Sequence, residues 1–194
     1  MKMLLSVYCS GSIAKGTSDE KKSYWTEAEK ELVRQWARPY DVAFLNPDDP
    51  IVDPENTLGQ FGRDMYQVMI ADAVIVDARE RRGLGIGVEL AAAVALGTPV
   101  IVVAPRNSKY RLDELSYRGV TVTDYIHPHV ASLATYVVES FSDAGQALVK
   151  TVGEKRSPAR RPQWLDPAIT EYCDNVLRHD PPMLAAQELL GLAK

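Results

Sequence analysis

The chain has 194 residues, 46% of them hydrophobic, and a formal net charge of −4. That is apolar material for one full core, and it fits one compact domain with an appendage better than two domains. The acidic balance lacks the basic footprint of a duplex-binding protein, so the expected partner is a small molecule and not a nucleic-acid polymer. Cys9 and Cys173 stand far apart, outside any CxxC pair or zinc-ligand spacing. The apolar run from Met3 to Val7 is too short for a signal peptide, and no segment reaches membrane-spanning length. A reduced, cytoplasmic protein with no membrane contact is the expectation.

Leu4 to Cys9 reads as a first strand running into the small-residue turn Ser10-Gly11-Ser12-Ile13-Ala14-Lys15-Gly16. Thr26-Glu27-Ala28-Glu29 is a capping box, in which hydroxyl and carboxylate each satisfy a free backbone N–H. Trp25, Ala28, Leu32, Val33 and Trp36 follow at helical spacing. Val42 to Leu45 is a short second strand, and the prolines of Asn46 to Pro54 impose a loop. From Thr57 the apolar positions Leu58, Phe61, Met65, Val68 and Met69 mark a second helix, and Asp72 to Asp77 a third strand. A loop from Arg79 to Gly87 leads to a helix over Val88 to Leu96, closed by Gly97-Thr98-Pro99. Val100 to Ala104 is continuous and apolar, as a buried parallel strand should be. Val120 to Val122 is expected as a weaker fifth strand and Val130 to Phe141 as the last helix of the domain. Glu154 to Pro162 reads as a solvated basic linker, with two short helices over Pro167 to Leu177 and Pro182 to Leu190. The alternation predicts an α/β fold: a doubly wound open parallel sheet of about five strands, Rossmann- or flavodoxin-like, with a C-terminal helical extension.

Ligands of such sheets bind outside the carboxyl ends of the strands, here the loops after Cys9, Asp77 and Ala104. Glu89 is the only ionisable residue between Gly83 and Ala104. Burying an unpaired carboxylate costs several kcal/mol, so its presence among Val, Leu and Ala calls for a partner or a use. Placed in the first turn, it would either cap its own helix or be kept ionised there as a nucleophile, with Gly83, Gly85 and Gly87 clearing space before it. Asp64 falls on the inward stripe of the second helix, either as an internal salt-bridge partner or as a second catalytic carboxyl. Tyr8 ends the first strand beside Gly11 and Ser12, where a phenol is either core or site. Two carboxylates on one edge allow one to attack a sugar carbon while the other handles the leaving group's proton. Gly83-Leu84-Gly85-Ile86-Gly87 lacks dinucleotide spacing and a following acid, and His127-Pro128-His129 lacks neighbouring ligands and reads as a surface turn. No metal or cofactor is expected.

Three segments carry a resemblance: Val7-Tyr8-Cys9-Ser10-Gly11-Ser12-Ile13, Asp64 with Asp72 eight residues on, and Gly83-Leu84-Gly85-Ile86-Gly87-Val88-Glu89-Leu90. In them the sequence resembles the nucleoside 2-deoxyribosyltransferase family, closest to its 2'-deoxynucleoside 5'-phosphate N-hydrolase branch. The resemblance covers Leu4 to about Phe141, and implies a catalytic domain over residues 1–150 followed by a linker and helical extension over 151–194. It implies that Glu89 forms a covalent glycosyl-enzyme, Asp64 protonates the departing base and Tyr8 orients the nucleophile. Gly11, Ser12, Ile13, Lys15, Gly83, Gly85, Gly87 and Glu114 then fall at substrate-binding positions, in a homodimer or higher oligomer whose neighbouring subunit completes the pocket. Gly83 and Glu114 stand where the hydrolases hold a phosphate with serines, and Ala14 stands where they have an arginine. Both a deoxynucleoside and its 5'-monophosphate are therefore candidate substrates, cleaved by water or exchanged onto a second base. A nucleotide-binding sensor that does not cut is the alternative of another class.

Overall fold

The structure, a computed structural model, describes residues 3–11, 25–47, 55–79, 84–117, 119–152 and 165–192. A parallel sheet of five strands lies at its centre: β1 (Leu4–Ser10), β2 (Asp41–Leu45), β3 (Ala73–Asp77), β4 (Val100–Val103) and β7 (Tyr136–Val138), in the order β2-β1-β3-β4-β7. That is the doubly wound order of flavodoxin-like folds, with its topological switch between β1 and β3.

Both faces of the sheet are covered, and the residues alternate between two cores as strand period 2 requires. Val7 and Cys9, Ala73 and Ile75, and Ile101 and Val103 enter the core beneath α1 (Glu27–Trp36) and α5 (Phe141–Thr151). Tyr8, Val74 and Val76, and Val100 and Val102 enter the opposite core with α2 (Thr57–Ile70), α3 (Leu84–Leu96) and α4 (Pro128–Leu133). The capping box forms as expected, with Glu29 N donating to Thr26 Oγ1 and Thr26 N to Glu29 Oε2. Gly97, at φ 76°, closes α3 in the left-handed conformation that the sequence required there.

Two expectations are corrected. Val120 to Val122 belongs to β6 (Val120–Ile126), which pairs antiparallel with β5 (Arg111–Tyr117) in a separate two-stranded sheet. The strand that completes the parallel sheet is β7, within the segment expected as one helix from Val130 to Phe141. Only three half-buried residues long, it shows no period, and it is held by Thr135 N donating to Val100 O. Phe141 therefore begins α5 and does not end a helix.

After residue 164 the chain forms α6 (Leu165–Glu171), a π-helical turn (Tyr172–Val176), a 3-10 turn and α7 (Pro181–Leu189). α6 and the turn after it pack on α2, and Ile169, Tyr172, Val176 and Met183 are buried within the core that contains Tyr8. Burial of Ile169, Val176 and Met183 contributes on the order of 1.5–3 kcal/mol each. Arg63 of α2 and Asp180 form an ion pair at 2.5 Å with both side chains 2% exposed. Tyr172 donates to the same carboxylate oxygen at 2.9 Å, and Asp180 caps α7 through Met183 N at 3.2 Å.

Candidate active site

Strand parity sets the site. Ser6, Tyr8 and Ser10 alternate with Val7 and Cys9 along β1 and so share the face that meets α3. Ser6 is consumed in a latch with Asp72, whose Oδ2 accepts from its hydroxyl at 3.0 Å and from its N–H at 2.8 Å. Two residues further on, the Tyr8 phenol donates to Glu89 Oε1 at 2.9 Å, and at the end of the strand the Ser10 hydroxyl donates to Glu89 Oε2. All three groups are buried.

The position of Glu89 in its helix differs from expectation. α3 begins at Leu84, four residues before the sequence-based start, so Glu89 is the sixth helical residue and the first turn holds no acid. The free N–H groups and the dipole act within that first turn, so neither capping nor the macrodipole accounts for the residue. The electrostatic expectation reverses accordingly. Burial pushes the Glu89 carboxyl above its ordinary range, and the hydrogen bonds from Ser10 and Tyr8 oppose that shift. Each hydroxyl engages one oxygen, which leaves a lone pair on each oxygen for an electrophile.

Gly85 and Gly87 are exposed in the first turn of α3. A Cβ at Gly85 would stand 3.8 Å from Glu89 Oε1, so this glycine does border the carboxylate, while a Cβ at Gly87 would meet nothing within 4 Å. Gly87 instead lines a cavity of about 220 Å³, largely apolar, with Ile86, Leu90, Tyr110, His127 and Val130. Gly11 is half-buried directly after β1. Asp64 is half-buried on α2, which packs against both β1 and α3. Glu114 is exposed on β5, opposite Thr123. Ser12, Ile13, Lys15 and Gly83 lie outside the described residues. His127 and Pro128 open α4, and among the described residues no three His, Cys, Asp or Glu side chains are placed to hold a metal ion.

The sequence reading passed over Ser10, which it took as turn. Its signal was available: a serine two residues after Tyr8 lies on the same strand face, aimed at whatever Tyr8 touches. It also passed over Arg63 and Asp180, whose partnership spans 117 residues and leaves no local pattern.

The fold and site together define a flavodoxin-like α/β protein with a buried carboxylate beside its β1/β3 switch point. The structure is similar to a solved 2-desoxiribosyltransferase from Leishmania mexicana, with 22% identity and a TM-score of 0.51 over 75% of this chain and 97% of that one. It is also similar to a 2-deoxyribosyltransferase from the psychrotolerant bacterium Bacillus psychrosaccharolyticus, with 15% identity and a TM-score of 0.49 over 72% and 90% of the two chains. No protein-family model matches the chain, and no curated protein matches its sequence. The first likeness establishes a shared fold.

Proposed function

We propose that this chain is an N-glycosidase of the nucleoside 2-deoxyribosyltransferase kind, hydrolysing the base–sugar bond of a 2'-deoxynucleoside or its 5'-monophosphate. The observation that carries this reading is Glu89: a buried carboxylate, past the capping turn of its helix, gripped by Tyr8 and Ser10 at the carboxyl edge of the sheet. Among the described residues its two direct partners are neutral hydroxyls, so its charge is left for a ligand and not spent on a structural cation.

In the first step a Glu89 oxygen forms a bond to the anomeric carbon as the C–N bond breaks. The C–N electron pair leaves with the base, which takes a proton from Asp64. Water then attacks the anomeric carbon, Glu89 departs with its bonding pair, and Asp64 recovers a proton from that water. The net change is one water consumed, giving free base and free sugar. Gly85 borders the carboxylate, and Gly11, Ser12, Ile13, Lys15, Gly83 and Gly87 are the further positions that this reading assigns to contacts with the nucleoside. Glu114, exposed on its hairpin, is the position through which a second copy in a cytoplasmic homodimer or higher oligomer would reach the sugar. Residues 1–150 form the catalytic domain in this reading and residues 151–194 its extension, whose helices from Leu165 to Leu189 brace it.

Incubating the full chain with a panel of nucleosides, deoxynucleosides and their 5'-monophosphates, with and without a second free base, tests the proposal by chromatography of the products. Free base without an acceptor is the expected result. A new nucleoside formed only when an acceptor base is present would assign base exchange instead, a transfer of the deoxyribosyl group such as the name of the similar Leishmania mexicana protein describes. Binding of a panel member with no turnover would sink the catalytic reading in favour of a sensor.

A further inference from the structure

The Glu89 carboxylate is held from two sides, and only one of the holders was anticipated. Ser10 is fully buried at the last position of β1, its hydroxyl on Glu89 Oε2 and its carbonyl accepting from the Trp25 indole N–H at 3.1 Å. Trp25 is itself 3% exposed and packs edge-on against Phe141, with ring centroids 4.9 Å apart, and against Phe44 at 6.0 Å. The strand end is therefore fixed from the α1/α5 face by an aromatic cluster, while its side chain fixes the carboxylate on the opposite face.

We propose that Ser10 is a positioning residue for the reaction of Glu89, and that the Trp25 indole sets it. This rests on the function proposed above. With Tyr8 alone, the carboxylate could turn about its terminal torsion, which is broad for a glutamate. With Ser10 as well, both oxygens are registered against β1 and the rotation is stopped, so the attacking lone pair is presented in one direction. Ser10 also opposes the effect of burial on the carboxyl, favouring the charged form that a nucleophile needs. α3 packs on β3, β4, α2 and α4, whose titratable groups are Asp77, then Arg63, Asp64 and Tyr66, then His129 with His127 at the α4 cap. None of these ranks with burial, Ser10 and Tyr8 in acting on Glu89.

The test uses Ser10→Ala, Ser10→Thr and Trp25→Phe in the full chain. For Ser10→Ala, kcat should fall roughly tenfold to a hundredfold, the worth of a hydrogen bond to a charged group. KM should stay within about twofold, and the acid limb of the pH–rate profile should move to higher pH. Ser10→Thr, which keeps the hydroxyl, should restore most of the rate, and Trp25→Phe should give a smaller loss in the same direction. Glu89 is also titrated directly, by infrared difference spectra of each protein against the same protein carrying Glu89→Gln. The carboxyl should titrate at higher pH in Ser10→Ala whether or not any nucleoside is turned over, which separates this proposal from the functional one. A lowered Tm with an unmoved Glu89 titration, or an unmoved pH profile in an active protein, would overturn it.

Discussion

Among the described residues, two buried phenol–carboxylate pairs are built from the same parts. Tyr8 donates to Glu89 at 2.9 Å, and Tyr172 donates to Asp180 at 2.9 Å. The difference is the third member. Asp180 has the buried guanidinium of Arg63, while Glu89 has the hydroxyl of Ser10. A carboxylate paired with a buried cation and capping a helix has its charge balanced within the fold and serves to fasten the C-terminal helices to α2. A carboxylate given only neutral donors keeps its charge available, at a cost to stability. In a buried acid, the identity of the counter-group is thus what separates a fastener from a reagent.

Substitution at each carboxylate should divide cleanly along this line. Glu89→Gln should lower kcat by at least roughly 1,000-fold, the scale on which loss of a covalent nucleophile is felt, with folding intact by circular dichroism. Asp180→Ala should do the reverse. Leaving Arg63 buried without its partner costs about 3–5 kcal/mol, read as a lower midpoint in urea unfolding, with turnover retained well below the unfolding transition. The double change Arg63→Met with Asp180→Leu should recover much of that loss, because it removes both desolvated charges together. If Asp180→Ala instead abolished turnover in a folded protein, the C-terminal helices would be part of the chemistry and the contrast would fail.

The two phenols give a gentler version of the same contrast. Tyr8→Phe should reduce kcat about tenfold to a hundredfold, and Tyr172→Phe should cost about 1–3 kcal/mol of stability with little change in rate. Equal effects of both on stability, with none on rate, would mean that Glu89 is a fastener too.

How much of this was legible in the sequence follows from the range of the interactions. The capping box of α1, the buried runs of β1, β3 and β4, and Gly97 at the end of α3 are local, and each was readable where it stands. Glu89 was readable because an acid in an apolar helix is anomalous by itself. Tyr8 could be placed on the sheet edge, but its contact with Glu89 crosses 81 residues, and its role in orienting the nucleophile came from the family resemblance. What failed had no local signature. β7 is too short to show a period, β5 shows no alternation, and the Val120-Thr121-Val122-Thr123 alternation of β6 reads the same whether or not the strand joins the main sheet. The start of α3 was missed because Leu84 to Gly87 looks like loop, glycines being poor helix formers, although tertiary packing of Ile86 and Leu90 carries the helix through them. That error of four residues mattered, since it placed Glu89 in a capping turn and inverted the direction expected for its protonation.

The inverted direction gives the subtlest test of the comparison. With its carboxyl raised in the folded state above the ordinary value of 4.5, Glu89 binds its proton more tightly folded than unfolded. Its contribution to stability is therefore fully present below pH 4.5 and is lost as pH rises through the folded value. The amide introduced by Glu89→Gln, neutral at every pH and able to pair with the same hydroxyls, escapes that loss. The Tm of Glu89→Gln should match that of the wild type at the acid end and exceed it increasingly as pH rises, until the carboxyl is fully ionised in the folded protein. A differential scanning series of the two proteins, run upward from about pH 4, measures it. If the gap were to close with rising pH, the Glu89 carboxylate would be stabilised in the fold, and Glu89 would have to be counted as a second fastener.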